Sequence, residues 1–185
     1  MKIFNVRIWI LIVFLSLVAC NNNTDEINNV KDATIETVFP FSKAHTIEIY
    51  SYEGSFESVS SFSDYFSKNF GKLKQVNILN DTNLHVKDRI SLNAAQKNQL
   101  FEILYKENCG DDLVGNCFNP NHAIVYYDES GRAFAYTEIS LDCMNAVSSK
   151  DVGTYKFCDA KIQKITSFFK SIGVNYFGDD IVVNF

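Results

Sequence analysis

The stretch HAIVYY (122–127), DESG (128–131), RAFAYTEISL (132–141) reads as two strands joined by a tight turn. Strand-forming Val, Ile, Tyr, Phe and Thr fill both arms, and Gly131 closes the turn. A glycine there suits the left-handed position of a type I turn with a G1 bulge. A three-residue loop pairs Asp128 with Arg132. Counted outward, that register sets Tyr126 opposite Phe134, His122 opposite Glu138, and Cys117 opposite Cys143.

The flanking sequence supplies the rest of a sheet and its cover. Ala44 to Tyr52 alternates, with Ile47, Ile49 and Ser51 on one face and Thr46, Glu48, Tyr50 and Tyr52 on the other, which predicts a half-buried strand. Leu73–Leu79 and Leu84–Ile90 are further candidate strands around the turn-prone Asn80-Asp81-Thr82-Asn83. Residues 54–71 form a long connection, with a short helix near Phe62–Phe70. Asn93–Glu107 predicts a helix, with Asn93 and Gln96 at capping-box spacing. Leu100, Ile103, Leu104, Phe101 and Tyr105 form its apolar face. Asp159–Ile172 predicts a second helix, capped by Asp159, striped by Ile162, Ile165, Phe169 and Ile172, and stopped by Gly173. Val174–Phe177 and Ile181–Phe185 read as short closing strands. The expected fold is α+β: an antiparallel sheet with two main helices packed on one face, stapled by disulfides.

The N-terminus carries an export signal. Lys2 and Arg7 precede an apolar run from Ile8 to Val18 broken only by Ser16. About eleven residues is the length of a signal h-region and too short for a membrane span, which needs about 20. Leu17-Val18-Ala19-Cys20 then matches the bacterial lipobox, in which Cys20 is lipidated and becomes the new N-terminus. The polar run Asn21–Glu26 reads as a solvated tether. The expected organisation is a signal peptide at 1–19, a lipidated tether at 20–36 and one domain at 37–185. Several acyl chains hold such a protein stably, because each buried methylene contributes roughly 0.8 kcal/mol. Asn21 follows the lipid-bearing cysteine where inner-membrane retention would favour Asp, which points to the outer membrane.

Charge and cysteines narrow the class. Cleavage before Cys20 removes Lys2 and Arg7 and no acid, leaving 15 basic and 22 acidic residues, a net of −7. No basic stripe is present, so nucleic acid is not an expected partner. Cys109, Cys117, Cys143 and Cys158 remain, an even set that reads as two disulfides in an exported chain. Three pairings are open. The hairpin register favours Cys117–Cys143, leaving Cys109–Cys158, although Pro120 interrupts the path from the hairpin to Cys117.

The run Cys117-Phe118-Asn119-Pro120-Asn121-His122-Ala123-Ile124-Val125-Tyr126-Tyr127-Asp128, then Gly131 and Ala135-Tyr136-Thr137-Glu138-Ile139, resembles uncharacterised cell-envelope lipoproteins of the Bacteroidetes group. Phe41-Ser42-Lys43-Ala44, Arg89-Ile90-Ser91-Leu92 and Phe168-Phe169-Lys170 through Gly173 to Tyr176-Phe177 fit the same likeness, which spans most of the chain after Cys20. The group often carries a basic residue where Asn121 stands and a cysteine where Ser140 stands. The resemblance implies fold and compartment and no activity.

Candidate chemistry is sparse. His122 and Glu138, as cross-strand neighbours, would make a carboxylate-oriented histidine, a base or ligand; the plainer reading is a polar pair on a sheet face. Cys117, His122 and Cys143, with Cys109 or Cys158, offer zinc-type donors, but at spacings unlike known zinc modules. Asp111-Asp112 and Asp179-Asp180 lack calcium-loop spacing. His45 and His85 have no acid or cysteine at a telling distance. Tyr126, Tyr127, Tyr136 and Tyr155 offer an aromatic face, with core packing as the plainer reading. P-loop, G-x-S-x-G, H-E-x-x-H and G-x-G-x-x-G motifs are missing. The expectation is a monomeric lipid-anchored envelope protein without cofactor, a non-catalytic binding or accessory module with a possible envelope protein partner. The alternatives are a small hydrolase using His122 and Glu138, or an inhibitor or immunity-type protein suited to a basic partner.

Overall fold

The computed structural model describes residues 33–53, 85–110 and 117–178. Strands β1 (Thr46–Tyr52), β2 (Val86–Ser91), β3 (His122–Tyr127), β4 (Ala133–Ser140) and β5 (Asn145–Ser148) form one antiparallel sheet in the order β2-β1-β3-β4-β5. Helix α1 (Ala94–Phe101) follows β2, and helix α2 (Asp159–Ser171) follows β5. The fold is the expected α+β sheet with two helices and two disulfides.

The hairpin turn forms as its residues dictate. Asp128 N donates to Arg132 O at 2.9 Å and Gly131 N to Asp128 O at 3.0 Å, with Gly131 at φ 72°. The Asp128 carboxylate accepts from Ser130 N and Arg132 N, each at 2.9 Å, an Asx-type clamp on the turn. Tyr127 then pairs with Ala133, in the expected register. One residue later the register slips: Tyr126 pairs with Ala135, so Phe134 sits in a bulge. Every rung beyond it is displaced by one. His122 therefore lies opposite Ile139, and Glu138 opposite Ala123. The predicted His122–Glu138 and Tyr126–Phe134 pairs do not form.

Two cores lie on the two faces. On the helix side, Ile47, Ile49, Ile124 and Ile139 pack with Leu100, Phe101, Leu104, Ile165, Phe168 and Phe169. Each such side chain contributes roughly 1.5–3 kcal/mol when fully buried. On the far side, Tyr50, Tyr52, Ala123, Val125, Tyr127, Ala133 and Tyr136 form a second buried cluster. β1 is therefore buried on both faces, where alternation predicts one solvated face. Its far face is made of tyrosines and Glu48, which read as polar in sequence yet bury well once their hydroxyls are bonded.

The helices keep their predicted places with altered ends. Asn93 caps α1 with the full capping box to Gln96. The second half of the predicted helix, Glu102–Lys106, follows α1 as a π-helix rather than continuing as α. The carbonyl of Leu104 in that turn accepts from Lys161 Nζ at 3.0 Å. At α2 the cap residue is Cys158, not Asp159, and no side chain bonds there; Asp159 lies in the first turn instead. Gly173 ends α2 at φ 100°, with Gly173 N bonded to Lys170 O and Val174 N to Phe169 O, a Schellman closure.

Other expectations shift. β5 lies in a stretch to which the sequence reading assigns no element. Val174–Phe177 forms no strand and runs as an irregular strap bonded to Asp88 and His122. Ala33 is already buried, so packing begins inside the stretch read as tether. The strand at Leu73–Leu79, the helix near Phe62–Phe70 and the strand at Ile181–Phe185 lie outside the described residues, as does Cys20.

Both disulfides have the favoured pairing: Cys109–Cys158 and Cys117–Cys143, with Cα–Cα distances of 5.5 and 5.4 Å. The inner bridge is reached by a different route from the one the register implied. β3 begins only at His122, and beyond it Ser140 Oγ takes over from the ladder, accepting from Asn119 N at 3.1 Å while its own proton goes to Asp142 Oδ1 at 2.6 Å. That side-chain bridge carries the segment past Pro120 and brings Cys117 to Cys143.

Candidate functional site

Strand pairing sets polar side chains in rows across the sheet, one row on each face. On the helix side, Asp88, Ser51 and His122 stand in consecutive strands, in register with one another and with Ile139. Ser51 Oγ donates to Asp88 Oδ2 at 2.6 Å. Asp88 also accepts from the backbone N–H groups of Asn175 and Tyr176, at 3.0 and 2.9 Å. Burial pushes its carboxyl up, but the bonds from Ser51, Tyr176 and Asn175 outweigh that and hold it below the usual carboxylate range.

His122 closes the same row. Its Nε2 lies 3.0 Å from the carbonyl of Tyr176, and its ring sits between Phe169 and Phe177, with centroids 5.3 and 5.2 Å away. A carbonyl only accepts, so Nε2 carries the proton and Nδ1 the lone pair. Nδ1 is buried and has no hydrogen-bond partner among the described residues. Burial drives the imidazole down to about 4, against the Tyr176 bond and the charges of Asp88 and Asp142. A serine, a histidine and an aspartate thus share a row without forming a nucleophile–base pair. Ser51 gives its proton to Asp88, the His122 donor is engaged by Tyr176, and both Ser51 and His122 are fully buried.

The far face holds a second polar row. Arg89 grips Glu48 with two bonds, Nε to Oε2 at 2.9 Å and Nη2 to Oε1 at 2.8 Å. Tyr50 donates to Glu48 Oε2 at 2.5 Å, and Tyr127 lies 2.8 Å from the Tyr50 oxygen. The Tyr50 proton is committed to the carboxylate, so Tyr127 donates to Tyr50. Burial, reinforced by Glu48, pushes both phenols well up. Beside them Tyr52 donates to Glu138 Oε1 at 2.6 Å. Nothing in the spacing of Glu48, Tyr50, Arg89 and Tyr127 marked this group. The available signal was the pairing of a Tyr- and Glu-bearing strand face with a strand carrying Arg89.

The sequence candidates fare as follows. His122 points to the helix side and Glu138 to the far side, so the two are not a catalytic unit. Cys109, Cys117, Cys143 and Cys158 are joined in disulfides, so none is a thiolate ligand for zinc. The tyrosines do not share one face: Tyr126 and Tyr155 belong to the helix-side core, Tyr127 and Tyr136 to the far cluster. His45 and His85 are exposed. Asp111, Asp112, Asp179 and Asp180 lie outside the described residues. Among the described residues, no three His, Cys, Asp or Glu side chains gather as a metal site, and no helix is long and apolar enough to cross a membrane. No protein-family model, curated protein or solved structure matches the chain.

Proposed function

We propose that the chain is a bacterial lipoprotein, anchored by lipid on Cys20, whose domain serves the cell envelope as a non-catalytic binding or accessory module. The observation that carries this reading is the pair of disulfides behind a lipobox-type leader. Paired cysteines persist in oxidising compartments outside the cytoplasm, and two of them stapling a domain of this size fit an exported protein. The resemblance to Bacteroidetes envelope lipoproteins points the same way, and Asn21 favours the outer membrane. The hydrolase alternative loses its basis, because His122 and Glu138 occupy opposite faces.

The test is the mass of the N-terminal peptide of the chain expressed in a bacterium with a lipoprotein pathway. Cleavage before Cys20 with acyl chains on that residue is expected, and Cys20→Ser should abolish both lipid and membrane fractionation. Cleavage elsewhere, or an unmodified Cys20, overturns the anchor. Density fractionation of the lipidated protein then decides between inner and outer membrane.

A further inference from the structure

After the Schellman turn at Gly173, residues 174–178 run back over the row Asp88–Ser51–His122. Polar bonds hold this strap to the sheet from two points. The Asp88 carboxylate takes the N–H groups of Asn175 and Tyr176, and the His122 Nε2–H donates to the Tyr176 carbonyl. Phe177 covers one side of the imidazole and Phe169 of α2 the other. At the far end Gly178 passes so close to Asn121 that a Cβ would meet its Oδ1 at 3.3 Å.

We propose that the strap is a latch released by acid, with His122 as its proton sensor. The neutral ring satisfies the Tyr176 carbonyl through one nitrogen and presents the other, Nδ1, to a buried site that offers it no partner among the described residues. A second proton has to sit on that nitrogen. It would place an unbonded N–H and a full charge beneath Phe177 and beside Phe169, which only opening of the strap to water relieves.

The charged groups around the ring do not cancel this. Asp88 on β2 and Asp142 in the turn after β4 favour the cation, yet burial still outweighs them. Asp88 is occupied by Ser51, Asn175 and Tyr176, and Asp142 by Ser140 Oγ and Cys143 N. β1 contributes only the Ser51 hydroxyl to the row. From α2, Lys170 lies 5.5 Å from the Phe177 ring, and from β2, Lys87 lies 5.8 Å from the Tyr176 ring. Both are cations and oppose a further positive charge.

The window follows from linkage. An exposed imidazole in the open state takes its ordinary value of 6.5, and the latched one is down at about 4. The latch is at full strength above pH 6.5. It weakens about tenfold per pH unit as pH falls from 6.5 to 4, about 300-fold in all, and then levels off. Asp88, held below its usual range, adds its own loss only below that window. Of the two side chains that anchor the strap, His122 is therefore the one that responds between pH 6.5 and 4.

The experiment is hydrogen exchange by NMR on the full, oxidised chain in detergent micelles, with protection factors correcting for intrinsic pH dependence. The Asn175 and Tyr176 amides should lose protection across pH 6.5 to 4, relative to the Val125 amide in central β3. The loss should vanish over that range in His122→Phe, which keeps a ring in the slot and cannot be charged. In the wild-type chain the His122 ring resonances should titrate near pH 4. Three results overturn the latch: strap protection that is flat with pH, strap and Val125 amides that fall together, or a His122 that titrates near 6.5. The last needs no variant, so a misfolded His122→Phe leaves the proposal open to refutation.

Discussion

His122 and Glu138 lie on neighbouring strands yet face opposite sides of the sheet, because Ile139 rather than Glu138 stands across from His122. Their surroundings are correspondingly unrelated: Tyr176, Phe169 and Phe177 for the histidine, Tyr52 for the acid. Side chains separated in this way should not couple. His122→Phe, Glu138→Gln and the double variant, compared by urea unfolding, should give stability losses that add within about 0.5 kcal/mol. A coupling above about 1 kcal/mol would mean that the two groups act as a unit.

Glu48 is 1 % exposed, and Arg89 holds it in a fork while remaining 29 % exposed. Removing the guanidinium takes a two-bond counter-charge away from a buried carboxylate, which costs more than a surface ion pair is worth. Arg89→Ala should destabilise by about 2–4 kcal/mol. Arg89→Lys should recover less than half of that, because one ammonium cannot reproduce two parallel bonds. Urea midpoints of the two variants check this. Equal stability of Arg89→Lys and wild type would show that charge alone matters at this position.

The contrast between these two sites explains what the sequence could convey. The hairpin, its Gly131 turn, the capping box at Asn93–Gln96 and the stop at Gly173 were legible, because each rests on a local rule that few residues satisfy. The bulge at Phe134 was not. Phe134 there packs against the partly buried Phe39, far from it in sequence, and no local signal marks the bulge. That one unseen residue moved His122 away from Glu138 and so dissolved the main candidate site. The disulfide pairing survived the same slip because Ser140 and Asn119 extend the contact beyond the ladder. The Asp88–His122 strap was illegible for another reason: residues 174–177 alternate like a strand, and only the Asp88 acceptor on β2 and the His122 donor on β3 divert them.

The two bridges are nested, with Cys117–Cys143 inside the loop closed by Cys109–Cys158, at separations of 26 and 49 residues. In the chain-entropy model each removes denatured-state freedom worth roughly 3–4 kcal/mol. Paired replacements, Cys117→Ala with Cys143→Ala and Cys109→Ala with Cys158→Ala, should each cost about that much in guanidinium unfolding. The outer pair should cost at most about 1 kcal/mol more, since loop length enters only as a logarithm. A loss confined to one pair would mean that the other loop stays ordered when the chain unfolds.

Lys161 is 4 % exposed, with its Nζ on the Leu104 carbonyl in the π-helical turn after α1. Burial brings it down from 10.5 to about 8, with the charge of Glu107 opposing. Between those values the unfolded chain binds the proton and the folded one releases it, so stability rises as pH rises from about 8 toward 10.5. Below 8 both states are protonated and the folded state carries the full burden of a buried ammonium. Lys161→Met removes that burden together with one hydrogen bond. Its urea midpoint should lose the alkaline rise that wild type shows over this window, while both proteins keep whatever pH dependence the tyrosines impose. An identical alkaline rise in the variant would place the titrating group elsewhere.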